Sequence, residues 1–427
     1  MKVTVKTLGC KVNQSESASI EGVLRINNYE VVNHSANPHI IIINTCSVTA
    51  KSDNQSRQLI RKAVKSGARV IVTGCYAQLN SDEISSMDGV DLIIGNSGKI
   101  NILEYLKKIE KINGKPYTDV KPPTDLLKSQ FYYSNRSRAF LKIQDGCNNS
   151  CSYCTVPLAR GKSRSLSQEE VVDTTRKLVC DGYREVVLTG IHIGTYGFNL
   201  TPPSSLPDIV KRLVYGFPQL RIRLSSVEPQ EVGTEILSLI GDGFICPHLH
   251  IPMQSGSNKI LKAMNRGYTA EAYEQVINKI VTSYPEISIG TDLIVGFPGE
   301  SDKDFNDTVN LVNILPLSYI HVFPYSRRPN TEASQMIDQV DDRVKKERIK
   351  YIIAISNMKK NIYRSRNIGR VLDVIVEQKA SNNGYYKGIS DNYLRVFLLS
   401  KAKLGRERLK ARVISLTEDG IIAEPLD

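Results

Sequence analysis

Cys147, Cys151 and Cys154 stand in a Cys-x3-Cys-x2-Cys run within Gln144-Asp145-Gly146-Cys147-Asn148-Asn149-Ser150-Cys151-Ser152-Tyr153-Cys154. Three thiolates so spaced can take three corners of a [4Fe–4S] cube and leave one iron open to a small molecule, which is where reactivity would sit. A structural zinc site closes with four ligands, and no fourth Cys or His lies within 25 residues on either side. The competing reading is a degenerate zinc knuckle or three surface thiols.

A second set of cysteines is scattered in sequence but regular in position. Val3-Thr4-Val5, Ile40-Ile41-Ile42-Ile43 and Val70-Ile71-Val72 run into Thr7-Leu8-Gly9-Cys10, Asn44-Thr45-Cys46 and Thr73-Gly74-Cys75. With Leu92-Ile93-Ile94 these β-branched runs alternate with helix-compatible stretches, the pattern of buried parallel strands in an open α/β domain. Ligands in such sheets bind beyond the carboxyl ends of the strands, so Cys10, Cys46 and Cys75 are expected to converge on one crevice as a second metal site. Three separately buried core thiols are the plainer alternative.

The first triad needs its own scaffold. Ala139-Phe140-Leu141-Lys142-Ile143, Glu185 to Thr189, Arg221 to Ser225, His248 to Ile251, Ile287 to Val295 and Tyr319 to Phe323 read as six further strands. Separated by helical stretches, they predict a partial (β/α) barrel with the triad on the loop after its first strand, at the carboxyl end where barrel active sites lie. The chain therefore divides into an α/β domain (1–112), a Pro-bearing linker (113–132), a barrel core (133–364) and a small C-terminal β-barrel (365–427) with recurrent turns such as Asn382-Asn383-Gly384. A basic helix from Asp341 to about Asn367 leads into that last unit.

The 427 residues, 41% hydrophobic, suffice for several cores. No run approaches ~20 apolar residues, and Met1-Lys2-Val3-Thr4-Val5-Lys6 opens directly on a strand pattern; this predicts a cytoplasmic protein without a membrane partner. Eight cysteines in that setting point to metal ligation rather than disulfides. Cys180 and Cys246 are expected to be packing residues, and His192, His248 and His250, at or near strand ends, to be satisfied core imidazoles sooner than polar active-site groups. Ten Lys/Arg against Glu347 between Arg343 and Arg370, and six against Glu407 between Lys401 and Arg412, exceed the whole chain's formal +12. The basicity is thus C-terminal, and it suits either a polyanion such as nucleic acid or a solvated helix face.

Tyr153 before the third cysteine completes the Cys-x3-Cys-x-aromatic-Cys pattern of radical S-adenosylmethionine (SAM) enzymes. Over essentially its full length the chain resembles their methylthiotransferase family, with a C-terminal barrel resembling the TRAM RNA-binding module. Leu8-Gly9-Cys10-Lys11-Val12-Asn13-Gln14, Gly74-Cys75-Tyr76-Ala77-Gln78, Phe140 to Cys147, Thr189-Gly190-Ile191-His192-Ile193-Gly194 and Val322 to Pro329 resemble the threonylcarbamoyladenosine branch.

The resemblance implies a tRNA-modifying enzyme that adds a methylthio group to C2 of N6-threonylcarbamoyladenosine at position 37, beside the anticodon. It implies that Cys147, Cys151 and Cys154 ligate the SAM-binding [4Fe–4S] cluster, and that Cys10, Cys46 and Cys75 hold a second [4Fe–4S] cluster carrying the sulfur. One SAM would yield the radical that takes the C2 hydrogen, and a second would methylate the sulfur; no side chain is nominated as catalytic. Thr189, Gly190, Ser225, Glu228, Gln254 and Asp292 are the implied SAM contacts, and Arg160-Gly161-Lys162-Ser163-Arg164-Ser165 a segment for phosphate or cofactor carboxylate. The implied partners are a tRNA anticodon stem-loop, a flavodoxin- or ferredoxin-like electron donor and a sulfur source. The rivals are the branches acting on prenylated adenosine or a ribosomal-protein aspartate, and an RNA-binding protein with structural metal.

Overall fold

The computed structural model describes residues 1–109, 114–123, 137–379, 385–400 and 402–426. Six parallel strands form the N-terminal sheet: β1 (Lys2–Thr7), β2 (Glu30–Val31), β3 (Ile40–Thr45), β4 (Arg69–Gly74), β5 (Leu92–Ile94) and β6 (Tyr117–Asp119), in the order β2-β1-β3-β4-β5-β6. The Ile40 to Ile43 run is almost wholly inaccessible because helices cover both faces, as a parallel sheet requires. The short edge strands β2 and β6 were not foreseen. β6 lies within the expected linker, most of whose remainder falls outside the described residues.

The next six long strands are β7 (Arg138–Lys142), β10 (Glu185–Thr189), β11 (Arg221–Leu224), β12 (His248–His250), β13 (Ser288–Val295) and β14 (Tyr319–Pro324), with a two-residue ribbon, β8 (Gln144–Asp145) and β9 (Arg164–Ser165), inserted after the first. β7, β10 and β11 pair in parallel, as do β12, β13 and β14, and a parallel bridge from Ser226 to His250 joins the two halves. The result is the expected open barrel. Both exposed edges are satisfied by serines: Ser15 Oγ accepts from Lys142 N at 3.2 Å, while Ser356 Oγ accepts from Ile320 N at 3.1 Å and donates to its carbonyl at 3.0 Å. The first belongs to helix Lys11–Ile26 of the N-terminal domain, the second to helix Asp342–Ser365.

Helix Lys11–Ile26 is buried on two sides. Its apolar positions Val12, Ile20 and Leu24 are buried, with Ile20 and Leu24 in the N-terminal core, and its polar positions Asn13, Ser15 and Glu16 are buried toward the barrel. The N-terminal domain also meets the opposite edge, where Arg328 pairs with Asp53 at 2.6 Å and Ala50 N donates to Ser326 Oγ at 2.9 Å. It thereby spans the barrel's opening.

The C-terminal strands β15 (Val371–Lys379), β16 (Tyr386–Ser390), β17 (Arg395–Leu398), β18 (Arg408–Leu416) and β19 (Ile421–Pro425) close into a barrel in the order β15-β16-β17-β19-β18. It docks beneath the central barrel. Glu185, at the start of β10 and fully buried, pairs with Arg221 and Arg223, whose guanidiniums also donate to the carbonyls of Asp373, Ile389, Ser390 and Asp391. The Asn382-Asn383-Gly384 turn and Lys401 fall outside the described residues.

Candidate functional site

The loop carrying Cys147, Cys151 and Cys154 follows β8 and is fastened at its middle. Ser152 N donates to Met264 O at 3.1 Å, its Oγ to Ala263 O at 2.7 Å, and its carbonyl accepts from Ala333 N at 2.7 Å. All three thiols are partly exposed and turned toward N–H donors. Asn149 N reaches Cys147 Sγ, Val156 N reaches Cys154 Sγ and Arg266 Nη1 reaches Cys151 Sγ, each at 3.4 Å. His192 Nδ1 lies 3.7 Å from Cys147 Sγ, and its Nε2 is 2.5 Å from Glu231 Oε1. Burial acts to depress His192, but those two partners outweigh it and raise the imidazole to about 10.

Cys10, Cys46 and Cys75 lie near enough to one another at the ends of β1, β3 and β4 to act electrostatically on each other. Gly9 and Gly74, each preceding a cysteine, have φ of +97° and +99°, which L side chains rarely adopt. A Cβ on Gly9 would sit 2.7 Å from Cys46 Cβ, and one on Gly74 only 2.4 Å from Thr45 O. Both glycines therefore let adjacent strand ends approach closely enough to share a site. Asn13 braces the turn: its Nδ2 donates to Leu8 O at 2.8 Å and Thr45 O at 2.9 Å, and Cys10 Sγ lies 3.9 Å from its Oδ1.

The donor sets fit iron–sulfur clusters better than other thiol chemistry. Burial pushes the Cys154 thiol up to about 12 and the Cys46 thiol up to about 11, the reverse of what a nucleophilic cysteine needs; such thiols lose their protons to a metal. Three thiolates on a single zinc ion stand about 4 Å apart, given Zn–S bonds of about 2.3 Å. Among the described residues only His250, Asp292 and His321 bring three ligand-type atoms within 4.8 Å of one another. Neither cysteine triad is that tight, whereas a cube places each thiolate on its own iron.

Between the triads lies a buried charge network that joins the two domains. Glu16 takes Lys142 at 2.9 Å, Arg160 at 2.8 Å and Lys99 at 2.5 Å; Asp145 takes Lys142 at 3.1 Å and Arg160 at 3.0 Å. Arg160 Nη2 donates to Asn13 Oδ1 at 2.6 Å, so a short path runs from Cys154 through helix Val156–Arg160 to the turn of Cys10. This leaves Arg160 unavailable for the anion contact expected of the Arg160 to Ser165 segment. Arg160 is spent inward, and Arg164 donates to the Arg160 and Lys162 carbonyls at 2.7 and 3.1 Å, because long-range acids that sequence does not reveal sit opposite.

The residues expected to meet SAM lie at the strand ends around the first triad. Thr189 ends β10, buried, its carbonyl accepting from Ile143 N at 2.9 Å. Gly190 is flat against Gln144, whose Oε1 would be 2.7 Å from an added Cβ. Ser225 Oγ is buried without a hydrogen-bond partner among the described residues, a polar atom that a bound ligand would satisfy. Glu228 pairs with Arg266, the same guanidinium that reaches Cys151, and burial raises the Glu228 carboxyl despite that pairing. Gln254 holds φ of +62° and hydrogen-bonds along β13 through its backbone, with Gln254 N donating to Asp292 O at 2.9 Å.

Asp292 is engaged elsewhere. His250 Nε2 and His321 Nδ1 approach its Oδ1 at 3.0 and 3.3 Å, and although burial acts to raise it, the two imidazoles hold the carboxyl below the usual range. Deeper in the lumen the Tyr319 hydroxyl lies 3.1 Å from His250 Nδ1 and 2.8 Å from His248 Nε2. Tyr393, from the C-terminal barrel, stacks on His248 with centroids 4.3 Å apart and floors the cavity. The lumen is therefore polar.

Arg266, Glu231, Glu16, Lys99 and Tyr393 escaped the sequence reading. The available signal was charge inside apolar patterns, such as Lys142 within Phe140-Leu141-Lys142-Ile143. Cys246 is buried as expected, but Cys180, the last residue of its helix, is exposed.

Comparison with known proteins follows this division. Residues 2–95 match the family described as Uncharacterized protein family UPF0004, and residues 141–312 the Radical SAM superfamily. The chain is 36% identical to the threonylcarbamoyladenosine tRNA methylthiotransferase of Bacillus subtilis (strain 168), over 96% of this chain and 93% of that one. It is 40% identical to the protein so named from Aquifex aeolicus (strain VF5), over 88% and 93%. A tRNA-2-methylthio-N(6)-dimethylallyladenosine synthase of Clostridium botulinum (strain Alaska E43 / Type E3) is 32% identical, over 89% and 85%. The radical S-adenosylmethionine methyltransferase TsrM from Kitasatospora setae shares the fold, with a TM-score of 0.57 over 78% of this chain and 76% of that one at 14% identity.

Proposed function

We propose, since the chain belongs to the radical SAM methylthiotransferase family and to its threonylcarbamoyladenosine tRNA branch, that it adds a methylthio group to C2 of N6-threonylcarbamoyladenosine at position 37 of tRNA. In this reading Cys147, Cys151 and Cys154 hold the [4Fe–4S] cluster that meets SAM, and Cys10, Cys46 and Cys75 hold a second one that presents sulfur. Bound, these groups supply the radical and sulfur chemistry that a C2–H, neither acidic nor electrophilic, demands. Residues 1–112, 133–364 and 365–427 are then the sulfur-presenting, radical-forming and RNA-engaging units. A flavodoxin- or ferredoxin-like electron donor and a separate sulfur source complete the system.

The chain's own side chains have positioning work. Arg266 holds Cys151 and Glu228 together, and His192 ties Cys147 to Glu231, so the cluster loop and the ends of β10 and β11 move as one. In this reading SAM is assigned to Thr189, Gly190, Ser225, Glu228, Gln254 and Asp292, a choice supported by the unpartnered buried Ser225 Oγ and by Arg266, which joins Glu228 to Cys151. The Tyr319, His250 and Asp292 run gives the lumen partners for a polar N6 substituent rather than an apolar prenyl chain.

The observation that carries this reading is the linkage of two separate cysteine triads by one buried path, Arg160 to Asn13 and Glu16. Incubating the reduced, reconstituted enzyme with SAM and tRNA bearing the threonylcarbamoyl group should yield 2-methylthio-N6-threonylcarbamoyladenosine by nucleoside mass spectrometry. Conversion of prenylated tRNA alone would move the protein to the other branch. Cys75→Ala should still cleave SAM yet insert no sulfur; full methylthiolation by that variant would remove the second triad from the mechanism.

A further inference from the structure

Lys11 follows Cys10 directly and extends into the lumen, its Nζ 5.9 Å from the centre of the Tyr393 ring. It is half-buried. The other cations of the barrel interior have carboxylates: Arg138, Arg221 and Arg223 share Glu185, Lys142 and Arg160 share Glu16 and Asp145, and Arg266 has Glu228. Among the described residues Lys11 has no carboxylate within ion-pairing distance. A cation partly withdrawn from water beside a polar cavity, with no anion of its own, is arranged for an anion brought by a ligand.

We propose that Lys11 receives the carboxylate of the threonylcarbamoyl group and so separates this substrate from adenosines whose N6 substituent is uncharged. The inference rests on the reading in which Cys10 helps present the sulfur. In adenine, C2 and the carbon bearing N6 flank the same ring nitrogen. A base whose C2 faces the sulfur presented by the Cys10, Cys46 and Cys75 site would place its N6 substituent against the adjoining surface, to which this lysine, next to Cys10, belongs. A carboxylate there gains a charge-assisted hydrogen bond, whereas a prenyl group would leave the ammonium desolvated and unpartnered, so one side chain both attracts the right substrate and rejects the wrong one. The His321 imidazole, half-exposed and using only its Nδ1 toward Asp292, remains for the threonine hydroxyl or the urea.

The test uses the full-length reconstituted enzyme and two anticodon stem-loops, one carrying the threonylcarbamoyl group and one carrying its methyl ester. The parent enzyme should favour the acid, and Lys11→Gln should lower kcat/KM for the acid by about 10- to 100-fold, chiefly through KM, with a much smaller change for the ester. Lys11→Arg, which keeps the charge, should retain most of the preference. Iron and sulfide content measured alongside reports whether the clusters assemble. A Lys11→Gln enzyme with full clusters and the parent's acid-to-ester ratio overturns the role of Lys11 and leaves the methylthiotransferase reading standing. If the variant does not assemble, the parent decides: equal use of acid and ester overturns the inference. A parent that modifies only prenylated stem-loops overturns both.

Discussion

Glu16→Gln tests whether the domains are joined by the buried network, since it removes one charge with almost no change in shape. The carboxylate is 2% exposed and faces three cations, Lys99, Lys142 and Arg160, at 2.5 to 2.9 Å. At an effective dielectric constant near 20 each such pair is worth about 6 kcal/mol of attraction, most of it offset by the cost of withdrawing the charges from water. Breaking a buried pair from one side costs about 3–5 kcal/mol, because the partners stay buried and uncompensated. Lys99 would keep only Asn96 Oδ1, at 2.8 Å. The surface pair Arg57–Glu83 has a similar 3.0 Å separation but side chains 25% and 46% exposed, so Glu83→Gln should cost about 0.5 kcal/mol. Calorimetry of the metal-free protein should show the lowest-temperature transition of Glu16→Gln falling by about 10 °C, and that of Glu83→Gln by about 1–2 °C. Equal shifts for the two variants would refute the argument that burial, not distance, sets the strength of this joint.

The same network predicts acid sensitivity. Glu16 and Glu185 are held well below the ordinary carboxylate range and Asp145 near 2, in each case because neighbouring cations outweigh burial. Depressed carboxyls stabilise the fold fully above their unfolded values near 4 and lose that contribution as pH falls toward 2, so unfolding monitored by circular dichroism should steepen across that window; a flat profile between pH 4.5 and about 2.5 would count against it. On the RNA side, charge reversal at Lys403 and Arg406 should weaken tRNA binding and reduce the salt slope by about 0.9 per lost phosphate contact. Arg408→Glu should instead loosen the C-terminal barrel, because Arg408 pairs with Asp373 at 2.7 Å and donates to Gln219 O at 3.2 Å. Unchanged affinity and slope for the first variant would remove this end of the barrel from the RNA surface.

Much of the scaffold was legible because long buried parallel strands write themselves as β-branched runs, and β10 was placed to the residue. β2 and β6 were not, since two or three residues on an edge carry no periodicity. The placement of six cysteines in the fold was legible, three on one loop and three at or just beyond strand ends. Their supports were not, because each depends on a partner far along the chain, as with Arg160 and Glu16 or Arg221 and Asp373. The basic helix shows the limit of reading charge by composition. Arg348 is tied to Glu300 and Asp302, and Lys359 donates to the carbonyls of Asn313 and Leu315, so part of the apparent patch is internal structure. Arg408, grouped by sequence with the RNA-facing cations, likewise proves to be a docking residue.

The network between the triads has a sign as well as a strength. Lys99, Lys142 and Arg160 are fully buried against only Glu16 and Asp145, and Arg164 stands 3.6 Å from Asp145 at the margin. A protein interior does not hold surplus cations without anions nearby, and the nearest such groups are the thiols. Burial opposes the charge on Arg160, and Asp145 and Cys75 are the leading groups that sustain it; Cys75 acts in the same sense on Lys99. In the proposed reading, where Cys10, Cys46 and Cys75 bind metal as thiolates, they would supply the missing negative charge, and filling that site and docking the N-terminal domain on the barrel would be one linked equilibrium.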